Sequence, residues 1–353
     1  MAYQMDKHLS PSLTLQGSRL FTSWLSTIKA SIAFTTYQAG KLFLIGLQPD
    51  GRLSVFERTF DRPMGLGCGD RRFWMSSLYQ LWRFENFLDD GEVHDGHDAL
   101  FVPVTGHTTG DVDIHDVHEH HTGHPVFVVT RFNCLATLGD RGSFREVWRP
   151  PFIDKLASED RCHLNGLALD TEKKPAFVTC VAQTNILEGW RDKRRNGGVL
   201  IDVSSGEVVA GGLSMPHSPR LYRGNLWVLQ AGTGEFGHVD IQTGKFEPIC
   251  FLPGFARGLT FIGDYAVVGL SRPRENRTFE GLALNEKLAA HSVDARCAIN
   301  IINLRTGDVE HRLDIEGVVE EIYDVGILHG IVRPMAIGFR SNDIRFAIKP
   351  QTS

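Results

Sequence analysis

No apolar run in the 353-residue chain approaches the roughly 18 residues that a membrane-crossing helix needs, so no membrane span is expected. The N-terminal MAYQMDKHLSPSLTLQG lacks the apolar stretch of a secretory signal. Cysteine is scarce and scattered: Cys68, Cys134, Cys162, Cys180, Cys250 and Cys297 form no Cys-x-x-Cys pair. They read as free thiols, mostly in the core, of a protein in a reducing cytoplasm. Basic charge is not in excess. The net charge of −5 provides no field for nucleic acid or an acidic membrane, and the one basic run, residues 191–195, reads as a solvated turn. There is no Gly-x-Ser-x-Gly elbow, no Walker-type phosphate loop and no His-Glu-x-x-His pair. The glycines of GLGCGD (65–70) lack a βαβ setting. Helical periodicity is sparse too. Only RLFTSWLSTIKA (19–30) and LNEKLAA (284–290) carry it.

What is present is a repeat. A strand, a tight Gly turn, a second strand and a short link recur at 42–66, 199–221, 237–261 and 301–325, with turns PDG, SSG, QTG and RTG. Gly at such a turn supplies the positive φ that a hairpin needs. Repeats of this length with short strands indicate a propeller. Each hairpin forms the outer half of a blade, and the chain then crosses to the axis to start the next inner strand. Inner strands are expected to begin near Arg62, His115, His163, His217, Arg257 and Glu321, at spacings of 40 to 64 residues. The last spacing is widened by an insertion at about 274–296. The expected fold is all-β, a six-bladed β-propeller. It would be seven-bladed if PMAIGFRSNDIRFAI (334–348) formed more than an appended pair. Residues 1–30 would be a lead-in with a short helix, and 31–349 a single propeller domain. SIAFTTY (31–37) and the hairpin 42–59 would combine with the C-terminal EEIYDVGILHG (320–330) to close the ring, which removes open sheet edges.

In a propeller the starts of the inner strands face one central channel. His115, His163 and His217, though far apart in sequence, therefore become neighbours. Three imidazoles with an open position suit a catalytic divalent metal such as Zn, Fe or Cu. Asp116, Asn165 and Ser218 stand ready to orient them. The other reading is three histidines hydrogen-bonded to backbone at a solvated channel mouth. Within DVDIHDVHEHHTGH (111–124) only His115 is in register. His118 lies about 10 Å further along an extended strand, and His120, His121 and His124 fall in the following turn. Arg62 and Arg257 flank the histidines. They would pair with Glu320 or Glu321, or grip an anionic substrate group. Arg220 is a weaker candidate. Glu321 would be a fourth ligand or a general base. Rim loops 85–110, 182–197 and 272–297 would set specificity, with His94, His97 and His107 in the first of them.

The strings GDVDIHDV, TRFNCLATL, WRPPFI, EDRCHLNGLAL, GGVLIDVSSGEVVAGGLSMPHSPR, LPGFARGL, YAVVGLSRPRE and VEEIYDV together resemble a bacterial family of conserved proteins without an assigned function, over roughly residues 20–340. That resemblance implies a propeller and gives no reaction. It places the family's characteristic residues at His115, His163, His217, Arg257 and Glu321, with the histidines of 118–124 as a departure. A looser architectural likeness is to the peptidyl-hydroxyglycine amidating lyase, a six-bladed propeller with zinc on three histidines. Sugar-lactonase and strictosidine-synthase-like propellers are similar in blade count but use carboxylates and Asn. The expected function is thus a metal-dependent lyase or hydrolase, or an oxygenase with Fe or Cu, acting on a small molecule or peptide with an anionic group. The alternatives are a non-catalytic ligand- or protein-binding propeller and a metal-free enzyme using His, Arg and Glu directly.

Overall fold

The computed structural model describes residues 13–272 and 281–350. Six small sheets, antiparallel apart from one appended strand, stand in a ring. Blade I is made from both ends of the chain, as expected: the inner strand is Asp324–His329, followed outward by Ala30–Thr36, Lys41–Leu47 and Leu53–Thr59. Blades II to VI follow in chain order, with inner strands Leu66–Cys68, Ile114–Glu119, Leu164–Leu169, Pro216–Tyr222 and Phe255–Ile262.

Burial grades outward along each blade, and composition follows it. The second and third strands, such as Lys41–Leu47 (KLFLIGL) and Ala298–Asn303 (AINIIN), are buried on both faces. Outermost strands such as Arg145–Trp148 and Lys245–Phe251 have only exposed or half-buried residues. A strand with neighbouring sheets on both faces has no solvent side, so continuous apolar runs replace strict alternation. The hydrophobic core consequently lies between blades: Val126, Val128 and Leu135 of blade III meet Leu164, Leu167, Val178 and Ile201 of blade IV. The hairpin glycines Gly51, Gly206, Gly244 and Gly307 all have φ between 69° and 83°. In two of these turns an aspartate fixes the bend. Asp202 Oδ1 accepts from the Ser204 and Ser205 amides, and Asp240 Oδ1 from that of Gln242.

Three features complete the picture of a six-bladed ring. The lead-in contains a strand, Thr14–Gly17, before its helix Phe21–Ile28, and this strand adds a fifth member to blade VI against Val309–Glu316. The segment 334–348 makes no seventh blade. Pro334–Ala336 pairs in parallel with Ala99–Thr108 on the edge of blade II, and Asn342–Arg345 is a 3₁₀ turn. The loop before Ala99 is not at the channel mouth where the imidazoles were placed. Asp98 accepts from the amides of Val332 and Arg333, beyond the far end of the strand Asp324–His329, so His94 and His97 sit at the opposite end of the molecule. The insertion partly overlaps residues outside the described set; its described part contains the expected helix, Ala283–Ala290.

Candidate functional site

All six inner strands start at the same end of the ring, and the residues around those starts enclose a cavity of about 200 Å³. Tyr37, Asp113, His115, Asp160, His163, Trp190, Arg257, Glu321 and Tyr323 are among its walls. A larger groove on blade II, of about 1030 Å³, is lined by surface ions already paired with one another, such as Arg71 with Asp90 and Lys349 with Asp89. The axial cavity is the one with buried chemistry.

Local backbone geometry marks the same place. Arg62, Asp113, Asp160, His163, Met215 and Ser218 all have φ between 38° and 61°. That left-handed region costs a residue with a Cβ roughly 1 kcal/mol or more. Four of the six, Asp113, Asp160, His163 and Met215, line the cavity, and the turns they make set the directions of the side chains there.

Each imidazole is held through Nδ1. Thr130 Oγ1 donates to the Leu164 carbonyl at 2.6 Å and therefore accepts from His115 Nδ1 at 2.7 Å. The Asp113 carbonyl lies 3.1 Å from the same nitrogen. His163 Nδ1 donates to the Asp160 carboxylate at 3.0 Å, which also accepts from Trp190 Nε1 at 2.9 Å. His217 Nδ1 donates to the Met215 carbonyl at 2.9 Å. In all three the protonated nitrogen is thus Nδ1, and Nε2 keeps its lone pair. Burial, reinforced by the neighbouring cations, depresses the His115 pKa to about 4 and that of His217 well below the ordinary value. Burial alone would raise the pKa of Asp160, but adjacent His163 and the donated hydrogen bonds outweigh it and lower it.

The orienting groups are not those read from the sequence. Asp116 instead accepts from Arg220 Nη1 (2.8 Å) and the Leu167 amide (3.0 Å), and lies 3.0 Å from His118 Nε2. Ser218 Oγ accepts from the Gly258 amide. Asn165 Nδ2 stands 3.3 Å from His217 Nε2 rather than at Nδ1. Asp160, Thr130 and Tyr323 were missed. Asp160, three residues before His163 in EDRCH, was the legible one of the three.

His115 and His163 do meet, with ring centroids 4.9 Å apart. His217 faces Arg257, whose Nη2 lies 3.3 Å from its Nε2. Among the described residues no three His, Cys, Asp or Glu side chains are disposed to hold a metal ion. The donor chemistry of the three imidazoles suits a divalent ion, while their present positions do not close around a common point.

The two arginines separate. Arg62 is bound by Asp111, with Asp113 4.0 Å away, so its charge is answered locally. Arg257 reaches 3.9 Å to Glu321, lies 4.5 Å above the Tyr323 ring, and has no hydrogen-bond partner for its buried Nε. Glu320 turns outward to Arg272. Arg220 serves Asp116 and the Leu259 and Leu167 carbonyls, tying inner strands together below the cavity. His120 and His124 close an exposed hairpin, the amide of the first donating to the carbonyl of the second. Of the rim loops, 182–197 delivers Trp190 and Arg191 to the cavity. The insertion packs Leu282 and Leu284 beside Trp190 and Met215.

Residues 19–337 match the family described as domain of unknown function (DUF4915), and the chain belongs to it. No curated protein matches the sequence. Among solved structures, a chain of a nidogen–laminin complex is similar at TM-score 0.52 and 12% identity, over 85% of this chain and 99% of that one. A protein of unknown function from Bacteroides caccae gives 0.49 and 8%, over 85% and 98%. Virginiamycin B lyase from Staphylococcus aureus gives 0.41 and 12%, over 73% and 96%. At such identities the first likeness is one of fold alone, and the reaction has to be sought in the cavity.

Proposed function

We propose that in this member of the DUF4915 family the axial cavity is an active site for a small molecule or peptide bearing an anionic group, and that the chemistry is of lyase or hydrolase type. The observation that carries this reading is the pair of buried imidazoles in the cavity wall, His115 and His163, each anchored at Nδ1 with its Nε2 lone pair kept, while His217 is anchored alike and meets Arg257 through its Nε2. An imidazole in that state accepts a proton from a substrate or from water. His163 is the strongest candidate for this role because it lines the cavity and the Asp160 carboxylate anchors its Nδ1. Arg257 holds the anionic group, and Glu321 faces it across the same cavity. Arg62, already bound by Asp111, contributes at the rim and not at the reacting atoms.

A second reading keeps the divalent metal. It is favoured by the same tautomers, because a metal-bound histidine characteristically gives its other N–H to a protein acceptor. His115, His163 and His217 would hold the ion, once the Arg257 guanidinium had left His217 Nε2. An ion of the Zn, Fe or Cu type would supply a Lewis acid that polarises a carbonyl or lowers the pKa of bound water to about 7.

Elemental analysis of untagged protein separates the two. The direct acid–base reading expects no stoichiometric metal and turnover that survives chelation. The metal reading expects about one ion per chain, lost in His163→Ala. Full tolerance of replacing all three histidines, scored on whatever ligand the protein processes, would overturn both.

A further inference from the structure

We propose that Tyr323 and Arg257 form a carboxylate-binding corner of the cavity, in which the phenol Oη and the guanidinium Nε donate to one carboxylate of the ligand. The proposal rests on the reading of the cavity as the active site and names what its ligand carries. Tyr323 is 2% exposed, and its Oη is buried without a hydrogen-bond partner. A buried hydroxyl in this state is rare in a folded protein and calls for an acceptor from outside the chain. The ring cannot turn away to find one. His115 stands edge-on to it at 5.5 Å, Tyr37 stacks on it at 5.8 Å, and Arg257 covers it at 4.5 Å. The second orphan is Arg257 Nε, buried and also without a partner. Its Nη2 is directed at His217, and its Nη1 lies nearest Glu321. Two donors without acceptors, on side chains in contact, line one small cavity.

The surroundings select the anion. Asp113, Asp160 and Glu321 line the same cavity. A phosphate dianion would meet these carboxylates with Arg257 and Arg191 as the guanidiniums in the walls, the second already paired with Glu188. A planar monoanion asks less of the site and offers two oxygens to the two unpartnered donors. A carboxylate is therefore expected to bind better than inorganic phosphate.

The test uses the full chain labelled at the tyrosine ring carbon that bears the hydroxyl. The chain has six tyrosines, and the Tyr323 resonance is assigned by its loss in Tyr323→Phe. Sodium acetate is titrated against sodium chloride at constant ionic strength, with sodium phosphate as a parallel arm. The expected result is a saturable shift of the Tyr323 signal with acetate. Calorimetry is expected to show acetate affinity falling about tenfold in Tyr323→Phe and at least as much in Arg257→Gln, the range for loss of a charge-assisted hydrogen bond. Tyr323→Phe keeps the packed ring, so it remains informative should Arg257→Gln fold poorly. A shift no different from that with chloride, phosphate binding tighter than acetate, or wild-type affinity in Tyr323→Phe overturns the proposal. Repeating the titration on His163→Ala separates the two ideas. Acetate binding that vanishes together with a metal would place the anion on the ion and overturn the corner. Acetate binding that persists supports the corner, whatever becomes of the catalytic reading.

Discussion

Asp160 sets one histidine by accepting from both His163 Nδ1 and Trp190 Nε1. Replacing it by Asn keeps the shape and removes the charge. Asp160→Asn is therefore expected to shift His163 towards a mixture of tautomers and to leave His115 and His217 protonated at Nδ1. Nitrogen-15 spectroscopy of the imidazoles reads this directly, and an unchanged His163 pattern would show that Asp160 does not choose the tautomer. At this scale the sequence was a partial guide. Repeat spacing alone pointed to His115, His163, Arg257 and Glu321, which line one cavity, and to His217, which meets Arg257 beside it. It did not show which nitrogen each histidine would present, because that depends on acceptors such as Thr130, fifteen residues from His115 and across a hairpin. Tyr323 lay inside a string already read as the last inner strand. It went unselected because an aromatic residue in such a strand ordinarily reads as core.

The inner strands are bound to one another by polar groups as well as by apolar packing. Gly258 sits at φ +78°, where a Cβ would lie 2.7 Å from the Val325 amide nitrogen. Gly258→Ala combines this clash with left-handed strain. A loss of about 2 kcal/mol or more, seen as a lower midpoint in urea, is the expected outcome. A second element-scale prediction concerns pH. Burial and the nearby Asp116 raise the Asp324 pKa from 3.8 to about 7. Between those values the folded chain keeps a proton that the unfolded chain has released, so stability falls as pH rises through this window. Asp116 acts oppositely: Arg220 and His118 overcome its burial and hold it below the ordinary range, so its contribution is lost only on acidification. Thermal midpoints from pH 5 to 8 are expected to decline less in Asp324→Asn than in the wild type. Parallel curves would refute the assignment. Strands and hairpins were the most legible elements, because a Gly turn within a regular repeat is a local signal. Thr14–Gly17 and Pro334–Ala336 were not legible. Four and three residues carry no periodicity, and each strand exists because a ready-made sheet edge accepts it.

At the scale of the molecule, six blades were readable because the count depends on repeats and not on contacts. The end of the ring occupied by residues 85–98 was not readable, because the spacing of inner strands says little about where a long connection folds back. Closure depends on Asp324–His329 pairing with Ala30–Thr36 along its whole length. A chain ending at residue 319 would leave that edge open and blade I without its axial strand. It is expected to lose cooperative thermal unfolding and to associate, as followed by calorimetry and size-exclusion chromatography. A monomer with a sharp transition would contradict this.

The seam also dictates an order of events. A ribosome releases the three histidines well before it releases Glu321 and Tyr323, which immediately precede the axial strand of blade I. Until then the pocket lacks a wall, and its imidazoles face open water. Enclosure of the imidazoles thus waits for the strand that closes blade I, and a chain terminated before residue 320 would carry them without their far wall.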